Sequence, residues 1–242
     1  MGRIVEFLHR HPVDVLCMQE IKCRNEEFPQ DIFDELGYSC AVLGQKTYNG
    51  VAIASRLPMD DMRAGLGDAE LDSQARLISV EIAGLRIFSA YVPNGADIEG
   101  EKYQFKLRWL RRLREYLEES HTIDELIAIC GDTNVIIHDN DAHDIAPWRQ
   151  TGLACEEIRR TLRGVTDWGL TDIFHRFNPD GGVFSWWDYR HLAFPHNIGL
   201  RIDHIFTTPP LAEKICSCSI DRNSRKGEKP SDHAPVIAEF EI

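Results

Sequence analysis

The sequence predicts an α/β fold in which two packed sheets carry helices on their outer faces. Three observations lead there. Short apolar runs rich in β-formers recur along the whole chain: "VDVLCMQE", "GVAIAS", "ARLISVEI", "LRIFSAYVP", "ELIAICGDTNV", "GLRIDHIFTT", "KICSCSI" and "HAPVIAEFEI". Helical patterns fall between some of them. A hairpin signal, "VEIAGLRIF", turns back at Ala83-Gly84, so antiparallel pairs are mixed with helical crossovers.

The elements follow in order. A helix over residues 3–10 precedes the strand that ends in Glu20, and a second helix covers about 29–36. "GVAIAS" and the Ala83-Gly84 hairpin supply the next strands. A long helix over about 100–119 carries the apolar stripe Trp109, Leu110, Leu113 and Leu117. "LIAICGDTNV" is a buried strand that opens at Gly131. Helices at about 155–163 and about 167–176 follow, the second closed by Asn-Pro-Asp-Gly. In "KPSDHAPV", Pro235 cannot donate to a ladder, so the last strand starts there and continues through Val236, Ile237, Ala238 and Phe240. No repeat or linker divides the 242 residues, and one domain over 1–242 is expected.

Composition narrows the function. No stretch approaches 18 apolar residues, and the N-terminus lacks a signal-like apolar run. Seven cysteines without a Cys-x-x-Cys pair predict free thiols in a reducing cytoplasm. A net charge of −12 argues against a generic nucleic-acid-binding surface, yet the basic residues are clustered. Lys102, Lys106, Arg108, Arg111, Arg112 and Arg114 read as the polar face of the long helix. Arg222, Arg225, Lys226 and Lys229 lie in a turn-rich loop suited to phosphate contacts. "HDNDAHD" imitates a calcium loop but has no glycine at position six and Gln150 at position twelve, so a solvated loop is expected. No G-x-S-x-G elbow points to a serine hydrolase.

Several strands end in acids or amides: Glu20 followed by Lys22, Asp132 with Asn134, Asp203, and Asp232 with His233. Asp203 sits in an otherwise apolar strand and needs a cation or donor nearby. Converging, these ends make a hard oxygen cage for Mg²⁺ or Mn²⁺ with one imidazole in reach, which suits phosphoryl chemistry.

"MQEIKC", "YNGVAI", "ARLISVE", "YVPNG", "GDTNV", "FSWWDYR", "GLRIDHI" and "EKPSDHAPV" resemble, in this order, the exodeoxyribonuclease III and apurinic/apyrimidinic endonuclease family. The resemblance implies a four-layer α/β sandwich with its active site at one edge of the packed sheets. It implies a Mg²⁺-dependent (Mn²⁺ possible) hydrolase of duplex DNA that cuts 5′ to abasic sites and removes nucleotides, including blocked ones, from 3′ ends, acting as a monomer away from membranes. Carried over residue by residue, Glu20, Asp132, Asn134, Asp232 and His233 form the metal set. Tyr91, Asp132, Asn134, Asp203 and His233 form the catalytic set: Asp132 orients the attacking water, Asn134 holds it, Asp203 fixes His233, and Tyr91 bonds the phosphate. Lys22, Arg76, Asn94 and Trp186 form the substrate set, with Trp186 lining the pocket for an extruded abasic sugar. Two assignments keep alternatives: Arg76 reaches DNA phosphate or pairs with a nearby acid, and either Trp186 or Trp187 faces the pocket. The family opens with a strand of the type K-I-x-x-W-N-x-N, whereas this sequence starts at the following helix, "MGRIVEFL". Relative to the family the sequence is thus expected to be N-terminally truncated by a strand and one site asparagine, which either lie upstream or are lacking from the protein. Two other functions stay open: a non-catalytic DNA-binding remnant, and a sister phosphoesterase acting on a non-DNA phosphate.

Overall fold

The computed structural model describes residues 1–242. Eleven strands form: β1 (Val15–Gln19), β2 (Ser39–Leu43), β3 (Val51–Ser55), β4 (Asp60–Ala64), β5 (Leu77–Ile82), β6 (Leu85–Tyr91), β7 (Leu126–Asp132), β8 (Thr171–Asp172), β9 (Asp203–Thr207), β10 (Ile215–Ile220) and β11 (Val236–Phe240). The helices are α1 (Gly2–Arg10), α2 (Gln30–Glu35), α3 (Glu101–Ser120), α4 (Glu156–Thr166), α5 (Ile173–Phe177) and α6 (Pro209–Ala212).

One β-layer is a six-stranded sheet in the order β4-β5-β6-β7-β9-β8. Its β6–β7 pair is parallel, joined by α3, and the remaining pairs are antiparallel. The facing layer comprises a three-stranded sheet, β1-β3-β2, and a two-stranded ribbon, β10-β11, all antiparallel. Only the larger sheet is therefore mixed. β1 and β11 each pair on one side only. Between the layers lies a core of Val51, Ile53, Ile78, Val80, Ile87 and Ala128, with Val15 and Phe240 packed against it. Fully burying each such branched side chain contributes about 1.5–3 kcal/mol.

The outer faces are covered as predicted. Trp109, Leu110, Leu113 and Leu117 of α3, with Ile158 and Leu162 of α4, pack on Phe88, Ile127 and Ile129. Phe7 and Leu8 of α1 and Phe33 of α2 pack on Met18, Ala52 and Ala54, with Ile237 against them. Helix–sheet–sheet–helix is the four-layer sandwich expected from the resemblance. No helix is long and apolar enough to cross a membrane.

The sequence missed β2, β4 and β8. All five residues of β4 are exposed, because it is a solvent-facing edge strand with no apolar face to declare it. β8 is only two residues long. The helix expected over about 167–176 shrinks to α5, since Thr171 and Asp172 first join β9 as β8. All seven cysteines are free, and Cys216 and Cys218 alternate exposed and buried along β10. "HDNDAHD" is not solvated throughout. Asp139 and Asn140 are exposed, but Asp141 is buried and clasped by both ends of the buried Arg201 guanidinium, at 2.7 and 2.9 Å.

Candidate active site

The parallel pairing of β6 with β7 and the antiparallel pairing of β7 with β9 place three residues on one row. Tyr91 lies opposite Asp132, and Asp132 opposite Asp203. Each occupies the site end of its strand. Gly131 makes the row possible: a Cβ there would lie 1.9 Å from the Ala90 carbonyl oxygen, so only glycine lets β7 run this close to β6. Across the inter-sheet gap, the Gln19 amide donates to Ser89 Oγ at 2.9 Å, and Ser89 Oγ donates to the Met18 carbonyl at 3.0 Å. This tie fixes the end of β1, where the chain leaves as Glu20.

Glu20 and Lys22 both take left-handed φ of 53°, and Asn134 one of 51°. Such conformations cost about 1–3 kcal/mol each for non-glycine residues and concentrate at functional sites. They aim Glu20 at the Tyr91 hydroxyl, which donates to it, and bring the Lys22 ammonium to 2.6 Å from the other Glu20 oxygen. Partial burial works against the Glu20 charge, but Lys22 and Tyr91 outweigh it and hold its pKa below the usual range. Burial and the neighbouring Glu20 charge push the Tyr91 phenol well up, so it remains a neutral donor. Lys22 also feels the charge of Asp232.

Asp132 is buried and accepts two bonds from Asn134, from its N–H at 2.8 Å and its Nδ2 at 2.9 Å. Asn94 Nδ2 in turn donates to Asn134 Oδ1 at 2.8 Å. Burial raises the Asp132 pKa to about 7; His233 and Lys106 pull against it and Asp203 adds to it. His233 Nδ1 lies 2.9 and 3.1 Å from the two Asp203 oxygens. Burial opposes the imidazolium, yet Asp203, Asp132 and Asp232 together raise its pKa to about 10. At neutral pH the ring is therefore charged, with Nδ1 spent on Asp203 and Nε2 the remaining donor.

"FSWWDYR" folds into a bridge beside the last strand. Trp186 pairs with both Leu200 and His233, and the Trp187 N–H donates to the Asp232 carbonyl at 3.0 Å. The two tryptophans then divide. Trp187 is fully buried beside Phe184 and Phe194, while Trp186 Nε1 donates to Asp232 Oδ2 at 3.1 Å. Of the two, Trp186 is thus the one beside Asp232, and Trp187 is a core residue.

All the sequence-predicted site residues form one connected group, in two halves. Glu20, Lys22, Arg76, Tyr91, Asp232 and Trp186 make up one half, and Asn94, Asp132, Asn134, Asp203 and His233 the other. No three His, Cys, Asp or Glu side chains close into a metal-binding cluster as they stand; Lys22 engages Glu20 and Trp186 engages Asp232. Arg76 is buried rather than open to solvent. It donates to the Gln74 side chain at 2.7 Å and the Tyr91 carbonyl at 3.1 Å, with its guanidinium 4.7 Å from the Tyr91 ring centroid. It holds Tyr91 and pairs with no acid.

Sequence reasoning missed Ser185, whose hydroxyl accepts from the Ile202 and Asp203 amides, each at 3.1 Å, and so ties Asp203 to the tryptophan bridge. Nothing in a lone serine signals that. Of the loop cluster, Arg222 and Arg225 are consumed by carbonyls and by the Phe194 ring, leaving Lys226 and Lys229 exposed. On α3, Arg108, Arg112 and Arg114 pair with Glu70, Glu119 and Glu118, as a polar face should.

The profile of the endonuclease/exonuclease/phosphatase family matches residues 1–233. The chain is 36% identical to exodeoxyribonuclease III of Haemophilus influenzae, covering 96% of this chain and 92% of that one. It superposes on an AP endonuclease from Archaeoglobus fulgidus with a TM-score of 0.96 at 37% identity, covering 99% and 93% of the two chains. A 3′ phosphatase from Neisseria, in a structure bound to a product DNA hairpin, gives a TM-score of 0.94 at 34% identity, covering 100% and 94%.

Proposed function

Because the chain belongs to the endonuclease/exonuclease/phosphatase family, we propose that it is a divalent-metal-dependent DNA repair nuclease. It hydrolyses phosphodiesters 5′ to abasic sites and removes nucleotides from 3′ ends of duplex DNA. The observation that carries this reading is the row Tyr91–Asp132–Asp203, capped by the charged His233 and facing Glu20 across the sheets. Neutral, acidic and cationic groups stand together where a phosphodiester could be held and attacked.

The donor set fits a hard cation. Glu20 and Asp232 are carboxylates at the ends of two separate strands, just after β1 and just before β11, and both already act on one cation, the Lys22 ammonium. We assign the Mg²⁺ site (Mn²⁺ as substitute) to these two, with Lys22 free to turn towards phosphate. The bound ion would supply charge neutralisation at the scissile phosphate. In this assignment Asp132, Asn134 and His233, the other members of the expected metal set, act on the water and the phosphate instead, His233 having its Nδ1 engaged by Asp203.

The protein's own groups do the rest. Each Asp132 oxygen accepts one bond from Asn134 and has a lone pair left for a water. With a pKa near 7, Asp132 is matched to accept that water's proton at neutral pH. Asn134 fixes the carboxylate plane. The free Nε2–H of His233 faces charge that grows on the phosphate oxygens, where fixed donors contribute most, while the Tyr91 hydroxyl, whose one proton goes to Glu20, holds that carboxylate in place. Trp186, held by Asp232, offers an aromatic face to a nucleotide or bare sugar turned out of the stack, which costs least at an abasic position.

The test is cleavage of a duplex carrying one abasic site, with Mg²⁺, with EDTA, and with the Asp132→Asn variant. Cutting abolished by both chelation and substitution supports the nuclease. A folded chain that binds the duplex without cutting it would instead support a DNA-binding remnant. Turnover of inositol or lipid phosphates that outcompetes DNA would support a sister phosphoesterase.

A further inference from the structure

Lys106 lies on the wrong face of its helix for a cation. Its neighbours on that face of α3, Tyr103, Leu107, Leu110 and Leu113, are all core residues, and Lys106 is itself completely buried. Its ammonium makes no ion pair. Instead it donates to three backbone carbonyls: Asn94 at 2.8 Å, Asn134 at 2.7 Å and Gly152 at 2.7 Å. These belong to three separate loops. Asn94 follows β6, Asn134 follows β7, and Gly152 lies just before α4.

The three loops already crowd one another. The Gly152 N–H donates to the Ala96 carbonyl at 2.7 Å, and a Cβ on Gly152 would sit 1.8 Å from the Gly95 carbonyl oxygen. Carbonyls converging this closely repel unless one group donates to all of them. An ammonium has three N–H bonds on one tetrahedral nitrogen, whereas a guanidinium spreads its donors in a plane over three nitrogens. Burying a charge without a carboxylate partner costs several kcal/mol, so an apolar residue here would be the stabilising choice if packing alone mattered. The two asparagines held by their carbonyls are those whose side chains run in series, Asn94 to Asn134 to Asp132.

We propose that Lys106 is a positioning residue of the nuclease site: by clamping the main chain of Asn94 and Asn134, it aims the Asn134 amide at the Asp132 carboxylate and the Asn94 amide at Asn134. The role rests on the nuclease function proposed for the same site. Lys106 touches no substrate and acts through the asparagines.

The experiment compares Lys106→Met with Leu110→Ala, a core substitution one turn further along the same buried face, each assayed where circular dichroism shows it fully folded. Releasing the clamp lets the asparagine amides drift by a fraction of a side-chain length, so kcat falls on the order of 100-fold with KM changed less than about threefold. Leu110→Ala leaves kcat within about threefold of wild type. In an Asn134→Ala background, adding Lys106→Met costs less than about threefold, because the group it aims is already gone. Exchange of the Asn134 and Gly152 amides is read independently of activity and quickens at least about tenfold in Lys106→Met but not in Leu110→Ala. An unchanged kcat, an equal loss in Leu110→Ala, or full additivity with Asn134→Ala would overturn the proposal. If the wild-type protein cuts no DNA, the nuclease reading fails by itself, and amide exchange still decides whether Lys106 clamps the loops.

Discussion

Asp203→Asn isolates what one carboxylate does for His233. The amide is isosteric and its oxygen can still accept from Nδ1, so the ring keeps its orientation while the charge partner disappears. In the intact site, Asp203 is the foremost influence that lifts the His233 pKa to about 10 against burial. Asp132 and Asp232 remain in the variant, but burial remains too, so the pKa should drop at least to the ordinary imidazole value of about 6.5. At pH 8 the charged fraction then falls from about 0.99 to about 0.03, roughly a 30-fold loss of imidazolium. Cleavage should fall by about that factor or more at pH 8 and recover much of it by pH 6. Stability gives a second reading with a fixed sign. A histidine whose pKa is raised on folding stabilises fully below the unfolded value of about 6.5, and loses that contribution as pH rises through about 10. Wild-type stability should therefore decline between those limits, and the decline should flatten in Asp203→Asn. The assays are the His233 ring titration by NMR, the kcat–pH profile, and urea unfolding at pH 6 and 9. A variant His233 still titrating above pH 9, or a rate loss equal at pH 6 and 8, would refute the charge argument.

Three further outcomes are expected. Arg201→Met strips the partner from two carboxylates, Asp141 and Asp172, bonded at 2.7 to 2.9 Å around a buried guanidinium; urea unfolding should show a loss of about 3–5 kcal/mol. The two adjacent tryptophans should separate by phenotype. Trp187→Ala empties a fully buried site and should cost about 3–5 kcal/mol of stability, whereas Trp186→Phe should leave the unfolding midpoint nearly unchanged and raise KM for an abasic duplex. Tyr91→Phe removes the hydroxyl that donates to Glu20, so the Glu20 carboxyl, titrated by NMR, should rise towards its ordinary pKa while cleavage falls.

The layers and most of the site were legible because both are written in local pattern. Strands such as "LIAICGDTNV" combine an apolar run with polar residues at its end, and the run must stop where the sheet meets water. Once the strands pair, those ends share an edge, and Tyr91, Asp132 and Asp203 fall on one row by register alone. What was illegible depended on long-range approach. Arg76 looks like any strand-end arginine in sequence, yet the fold folds it over the Tyr91 ring. Arg225 lies in a basic loop, yet it is buried among carbonyls and rings. β4 was invisible because an exposed edge strand has no core face to pattern.

Lys106 shows where the two kinds of information meet. Counting it among the basic residues of α3 placed it on the polar face, because residue type was weighed before position. Position says otherwise: Tyr103, Lys106, Leu110, Leu113 and Leu117 are three or four residues apart and share one stripe. A cation at a core position is expensive, and the fold gains no ion pair from it. Such a residue is explained only by what its donors hold, here the loops that carry Asn94 and Asn134. The same logic separates Asp141 from its exposed neighbours Asp139 and Asn140: in both places the polar group that breaks the local burial pattern is the one the fold uses to fix a loop. A polar residue out of phase with its element is therefore a stronger pointer to the machinery of this site than a cluster of like charges in phase with it.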